Sequence, residues 1–208
     1  MNALRETLKA LVRWIAIVLV SPLIVSYWLQ AALMGSSRSL EDHTECLGVV
    51  PGVTGRYLRW AFLACVLEEC HPSCFIGFGT LFSQPGARIG PRVYIGPRCH
   101  IGLATLQADV LLGAGVHVLS GARTHGIDDS AAKPIRDQEG RRTRVTVGVG
   151  VWVGSNAVLM SDVGEHSVVG AGAVVTKALP AQVVAAGVPA RVIRSRVEED
   201  RSTQEMQT

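Results

Sequence analysis

Six histidines and five cysteines carry most of the chemistry open to these 208 residues. Imidazole titrates nearest neutral pH, which suits it to proton transfer and to metal ligation. His125 stands in Gly121-Ala122-Arg123-Thr124-His125-Gly126, at the start of a polar run that holds Asp128, Asp129, Lys133, Arg136, Asp137, Glu139, Arg141 and Arg142. A base at that place, its ring oriented by Asp128 or Asp129, fits general acid–base chemistry. His100 and His117 lie 17 positions apart and are expected to stack on one outer face, as a substrate-binding pair or as plain surface packing. His43, His71 and His166 read as surface residues. Cys70-His71-Pro72-Ser73-Cys74 has the donor types of a zinc site, but no second ligand pair stands at finger-like spacing, and no metal is expected. An odd, irregularly spaced set of cysteines makes no disulfide framework and fits a reducing compartment. A net charge of +3 gives no argument for nucleic acid.

The frame that must hold these side chains is written in sixes. Val147-Gly148, Val153-Gly154, Val163-Gly164 and Val169-Gly170 each open a unit with an aliphatic residue and glycine, and a small or β-branched residue follows four places after each start. Ile89-Gly90, Ile95-Gly96, Ile101-Gly102, Leu106, Leu112-Gly113 and Val118 carry the same phase upstream. Neither a helix, with its spacing of three and four, nor a lone strand alternating in twos has this period. A parallel β-helix does, with short flat faces joined by tight corners. Cys99 falls on a small inward position. The period lapses once, over an excursion at 122–143. Long stretches of this kind are functional or disordered, and a polar arm rooted between rigid coils points to a site.

Trp14 to Ser37 contains no charged residue, long enough as a helix to cross a ~30 Å hydrocarbon layer. Arg5, Lys9 and Arg13 precede the run, which would hold that end in the cytoplasm. Ser21-Pro22 inside it favours a kink. The expectation is therefore a re-entrant anchor over residues 1–38 with both ends cytoplasmic, and a kinked span is the rival. Residues 39–70 read as a polar, glycine-containing connector followed by a short helix over Gly55–Glu69. Arg56, Arg59, Tyr57 and Trp60 in that helix suit either a membrane interface or a cap over the open end of the repeat array. The repeat domain is assigned to 71–194 and a polar tail to 195–208.

From roughly Ile76 to Arg194 the chain resembles the hexapeptide-repeat acyltransferases, in the maltose and galactoside acetyltransferase branch. The resemblance implies a mainly β fold, a left-handed parallel β-helix, and three chains packed side by side with clefts between them. It implies acetyl-CoA as acyl donor and His125, where the loop leaves the helix, as catalytic base, although the Pro that often follows is Gly126 here. Trp152-Val153-Gly154-Ser155 resembles the step lining the pantetheine arm, with Ala171 beside it. Thr176-Lys177 and Arg191, with Arg194 as a further candidate, match positions that hold the nucleotide phosphates. The branch's upstream substrate-binding positions have no clear counterpart, so its sugar specificity does not carry over. The anchor implies a membrane lipid partner and a lipid-linked sugar acceptor, an exopolysaccharide or surface-glycan precursor, at the cytoplasmic face of the inner membrane. Rival readings are an acetyltransferase for amino-sugar nitrogen or a xenobiotic, a zinc hydratase built on the same coils, and a non-catalytic scaffold for glycan assembly.

Overall fold

The computed structural model describes residues 2–126 and 133–197. The hexads form a three-faced parallel solenoid. One face contains Glu69–Cys70, Arg88–Ile89, Ala104–Leu106 and Val145–Val147, and is continued by single bridges from Val147 to Val163 and on to Leu179. The second runs from Phe75–Ile76 through Tyr94–Ile95, Leu111–Leu112, Trp152–Val153 and Val168–Val169 to Val183–Ala186, where Arg191–Ser195 closes it antiparallel. The third stacks Leu81–Phe82, His100–Ile101, His117–Val118, Val158–Leu159 and Val174–Val175.

On each two-residue strand the second residue points inward. Ile89, Ile95, Ile101, Leu112, Val118, Val153, Leu159 and Val175 are fully buried in one continuous column. The small residue four places into each unit fills the corner beside it, as Val151, Ala157 and Ala173 do. Ser167 takes the same inward corner because its hydroxyl donates to Pro180 O at 2.9 Å and accepts from Val183 N at 3.2 Å, which satisfies a polar atom that burial would otherwise penalise. Glycines let the coils close up. A methyl on Gly113 would lie 2.7 Å from Ser155 N, and one on Gly154 would lie 2.4 Å from Ala171 N.

Three helices cover the first coil: α1 (Asn2–Met34), α2 (Ser36–Gly48) and α3 (Gly52–Val66). The helical span of α2 replaces the expected connector. Its buried residues Ser39, Leu40, His43, Thr44 and Leu47 recur at fours, and the polar ones are satisfied locally. Ser39 Oγ donates to Tyr27 O at 2.9 Å, Thr44 Oγ1 donates to Glu41 O at 3.0 Å, and His43 Nδ1 lies 2.7 Å from Ser39 O. His43 is thus a core residue, 6% exposed and stacked on Phe62, not the surface residue that its polarity suggested. Of the two readings open to its helix, Arg59 takes the cap. It is 4% exposed and donates to Leu47 O in the last turn of α2, to Val50 O beyond that helix and to Ile76 O of the first coil. With Gly79 N bonded to Gly48 O and Phe82 N to Thr44 Oγ1, these contacts close the end of the array, and α2 with α3 is a cap.

Pro22 does not turn α1 back. Its missing N–H would leave Val18 O without a partner, and Ser21 Oγ donates to that carbonyl at 2.8 Å. The reversal comes at Gly35, where φ is 90°, a value glycine adopts without steric penalty. The first half of α1 packs on α3 and reaches the first coil through Arg13 Nη2, 2.9 Å from Pro72 O. Its second half packs on α2 through Tyr27 against His43 and Gln30 bonded to Asp42. The helix is therefore held across the cap, and Leu11, Trp14, Val18, Val25, Leu29 and Leu33 are exposed on it.

Candidate active site

The excursion leaves the third face at Ser120 and returns to the first at Arg144. Both roots are tied down. Ser120 Oγ accepts from Leu103 N at 2.9 Å, and Ser120 O accepts from Thr143 N at 2.9 Å. Arg144 donates to Gly86 O at 2.6 Å and to Glu68 Oε2 at 2.8 Å, and Glu68 is shared with Arg88. Both guanidinium groups hold the Glu68 carboxyl below the usual carboxylate range. Further out, Arg141 N donates to Arg123 O at 2.7 Å, joining the two limbs as a narrow stem. Beyond it lies a short 3₁₀ turn at Ile135–Asp137, beside which the buried Gln138 donates to Lys133 O at 2.9 Å.

Extended limbs send successive side chains to opposite sides, and the stem divides two grooves accordingly. One, of about 470 Å³, takes Arg123, His125, Glu139 and Arg141 from the arm and Met160, Ser161 and Thr176 from the next two coils. The other, of about 210 Å³, takes Thr124 and Arg142 from the arm, His100, Ser83 and Gln84 from the solenoid and Glu41 from α2. His125 is exposed in the first groove. Its backbone is hemmed in by glycine: a methyl on Gly140 would lie 2.1 Å from Thr124 O and 2.7 Å from His125 Cα. A methyl on Gly126 would meet Glu139 O at 2.7 Å, which shows how closely the opposite limb passes.

His100 and His117 pair in register on the third face, with ring centroids 5.9 Å apart. Burial pushes the His100 imidazole below its ordinary value, His117 adds to this and Glu41 opposes it. The arm keeps His100 and His125 in separate grooves. Among the described residues no cluster of three or more His, Cys, Asp or Glu is placed to hold a metal ion. Cys70 and Cys74 have Sγ atoms 3.7 Å apart and are unbridged, and Cys99 is core, its thiol pushed up to about 11 by burial. Asp128 and Asp129 lie outside the described residues.

The residues expected for the acyl donor fall in two places. Ser155 and Ala171 occupy the same corner on successive coils and are exposed. Trp152, 54% exposed, lies just before that corner in an outer row that continues through Val168 and Val184 to Arg194. Arg191 pairs with Ala186 on the same closing strand. Thr176 and Lys177 lie beyond the far edge of the third face, and Thr176 shares the groove of His125. The third face thus separates His125 from the Ser155–Ala171 corner within one chain. Arg123 and Arg141 share the groove of His125; the sequence reading counted Arg141 only as a charge of the arm and gave Arg123 no role, and the period of two along 123–125 was the available signal. Glu41 comes from a helix far upstream, and no spacing announced it.

Fold and groove together define a parallel β-solenoid with a polar arm at its edge. No protein-family model matches the chain. It is similar to galactoside O-acetyltransferase of Lactococcus lactis, 30% identical over 147 residues that cover 66% of this chain and 68% of that protein. The Escherichia coli galactoside O-acetyltransferase is 51% identical over 59 residues, 27% of this chain, and the match spans only 29% of that enzyme's length. A solved galactoside acetyltransferase in complex with coenzyme A superposes with a TM-score of 0.62 at 24% identity, over 79% of this chain and 84% of that one. The chain belongs to the hexapeptide-repeat acetyltransferase family, whose fold is a left-handed parallel β-helix.

Proposed function

We propose that the protein transfers acetyl from acetyl-CoA to a sugar hydroxyl, with His125 as general base, on a lipid-linked glycan precursor at the cytoplasmic face of the inner membrane. The observation that carries this reading is the shared groove of His125 and Thr176, at the edge of a stack whose next corner presents Ser155 and Ala171. His125 takes the hydroxyl proton as the oxygen attacks the thioester carbonyl. The tetrahedral adduct collapses with loss of the C–S bond, and the imidazolium returns its proton to the departing thiolate. Arg123 or Arg141 on the same wall supplies positive charge for the oxyanion.

The donor residues suit a long, thin phosphorylated ligand. Trp152 offers an exposed ring, Ser155 and Ala171 a corner that small side chains leave open, and Thr176, Lys177, Arg191 and Arg194 charge or hydroxyl for phosphates. A single chain sets His125 and the Ser155 corner on opposite edges of the third face. Packing that face against a neighbour's brings one chain's base beside the next chain's donor groove, which supports a homotrimer. We assign His100 and His117 to the acceptor and, from their nearness to His125 along the sequence, Asp128 or Asp129 to the orientation of its ring.

Thr7–Met34 is long and apolar enough to cross a membrane, and 11% of its most apolar window is buried in the protein. Held on the cap at both halves, it leaves an apolar flank for the bilayer and keeps both its ends on the solenoid's side. We read it as lying in the membrane interface. The test is His125→Ala, assayed as CoA release with acetyl-CoA and a lipid-linked sugar fraction. Turnover falls by roughly 100-fold or more while acetyl-CoA binding by calorimetry is retained. Unchanged turnover would overturn the assignment of the base.

A further inference from the structure

Two thiols meet where α3 packs on the first coil. Cys70 stands in register with the inward Ile89, and Cys74 takes the buried corner that Val93 and Val110 fill on the next coils. Their Sγ atoms are 3.7 Å apart and unbridged. The turn between them, His71-Pro72-Ser73, is held by bonds that involve neither sulfur. Ser73 Oγ accepts from Arg92 N at 2.9 Å and lies 2.8 Å from His71 Nδ1, and Pro72 O accepts from Arg13 Nη2 of α1 at 2.9 Å. The sulfurs are thus kept side by side by the fold. Among the described residues no other two cysteines are in such contact, and Cys99, closed inside the prism, has Gly113 O at 3.2 Å as its partner.

The two thiols are not equivalent. The hydrogen bond to Cys74 and burial, with Glu69 and Cys65 adding to them, push the Cys70 thiol well above its ordinary range, so Cys70 keeps its proton. Cys74 lines a cavity of about 290 Å³ whose walls include Arg13, Tyr57, Trp60 and Pro72. One sulfur therefore borders a space that a small reagent can enter, and the second waits behind it. A bridge between them would close a loop of only five residues, which restrains an unfolded chain less than a long loop does. The pair is poorly suited to a structural staple, and bridges that form in reducing compartments are transient.

From this geometry we infer that Cys74 and Cys70 form a peroxide-reactive thiol pair that closes reversibly to a disulfide. Cys74 Sγ attacks one oxygen of hydrogen peroxide. The O–O bond breaks, a sulfenic acid forms on Cys74, and the other oxygen leaves as water. Cys70 Sγ then attacks the Cys74 sulfur, the S–O bond breaks, and the hydroxide departs as a second water with the Cys70 proton. Two thiols and one peroxide give one disulfide and two waters, the sulfurs losing two electrons to the peroxide oxygens. Bond formation draws the sulfurs together from 3.7 Å to about 2.05 Å. The turn that moves with them carries the carbonyl to which α1 is bonded, so the reaction falls at the joint between α1 and the solenoid.

The test uses the full chain, reduced and then exposed to hydrogen peroxide, with remaining thiols blocked by iodoacetamide. Cleavage after Arg and Glu releases Cys70–Arg88 with both cysteines, apart from Trp60–Glu68 with Cys65. In the wild type Cys70–Arg88 loses the mass of two hydrogens and takes up no iodoacetamide, Trp60–Glu68 stays alkylated, and dithiothreitol restores both blocked sites. Cys70→Ala stops the second step, so a dimedone adduct on Cys74 rises severalfold above the wild-type level. Cys74→Ala abolishes bridge and adduct together, and Cys65→Ala changes nothing. A folded wild type whose Cys70–Arg88 stays doubly alkylated, while the urea-unfolded chain is oxidised, overturns the inference. A bridge from Cys65 to either sulfur does the same. The fragment masses are read on the wild type, so lost fold in a variant does not enter them.

Discussion

Gly140→Ala isolates the positioning of the base from the base itself. The added methyl would lie 2.1 Å from Thr124 O and 2.7 Å from His125 Cα, whereas ordinary contact begins at 3.4 Å. The limb carrying His125 must then retreat by about 1.3 Å at the carbonyl of Thr124. A displacement near 1 Å at a reacting group lowers rates by up to ~100-fold, equivalent to about 2.7 kcal/mol of activation free energy. Turnover, followed as CoA thiol release under saturating acetyl-CoA, therefore falls 10- to 100-fold by this estimate. The KM for acetyl-CoA stays within about twofold, because Ser155, Ala171 and Arg191 lie on other coils. The solenoid column does not include the arm, so Tm moves by no more than about 4 °C, the effect of roughly 1 kcal/mol in a chain of this size. Because both changes act through one imidazole, His125→Ala with Gly140→Ala is no slower than His125→Ala alone. Full turnover in Gly140→Ala, or additive losses in the double variant, would refute the reasoning.

Lys177→Ala and Arg191→Ala should each raise the KM for acetyl-CoA roughly tenfold, as loss of a charged hydrogen bond does, with kcat little changed; steady-state kinetics at varied donor concentration decide this. Burial holds His100 below the ordinary imidazole value of 6.5, so the unfolded chain binds more protons there than the folded one as pH falls below 6.5. Stability linked to this residue is present above that value and lost on acidification towards the folded value. Tm between pH 7.5 and 5 should accordingly fall more for the wild type than for His100→Gln, and equal slopes would count against it. Arg59→Met takes the side-chain donor from the carbonyls of Val50 and Ile76 and leaves Leu47 O with backbone donors only. It should lower stability by about 2–4 kcal/mol and Tm by about 10 °C, measured by calorimetry.

Little of the solenoid had to wait for coordinates. An aliphatic anchor every sixth residue, with a small one four places on, fits one repeating burial geometry, so the anchors Ile95, Ile101, Leu112 and Val153 and the corner residues Cys99 and Ala157 were readable directly. The limits of the excursion were readable too, because the period stops at Ser120 and resumes at Val145. The cap was not. The α2 segment has few large apolar residues and buries serine, histidine and threonine, which become tolerable only once Tyr27, Ser39 and the first coil supply their partners. The sequence left Arg59 open between interface and cap because nothing in its own helix reveals the carbonyls of Leu47, Val50 and Ile76.

The hexad phase by itself determined the prism, its order of faces and the coil on which each candidate sits, because a covalent repeat dictates a repeating burial pattern without help from distant residues. Tertiary structure alone decided that Thr124 and His125 open into different grooves, that Glu41 of α2 faces His100, and that α1 runs through Pro22 to lie across the cap. Each of these depends on which surfaces meet in space. Such meetings are set by packing between segments whose separation along the chain carries no signal.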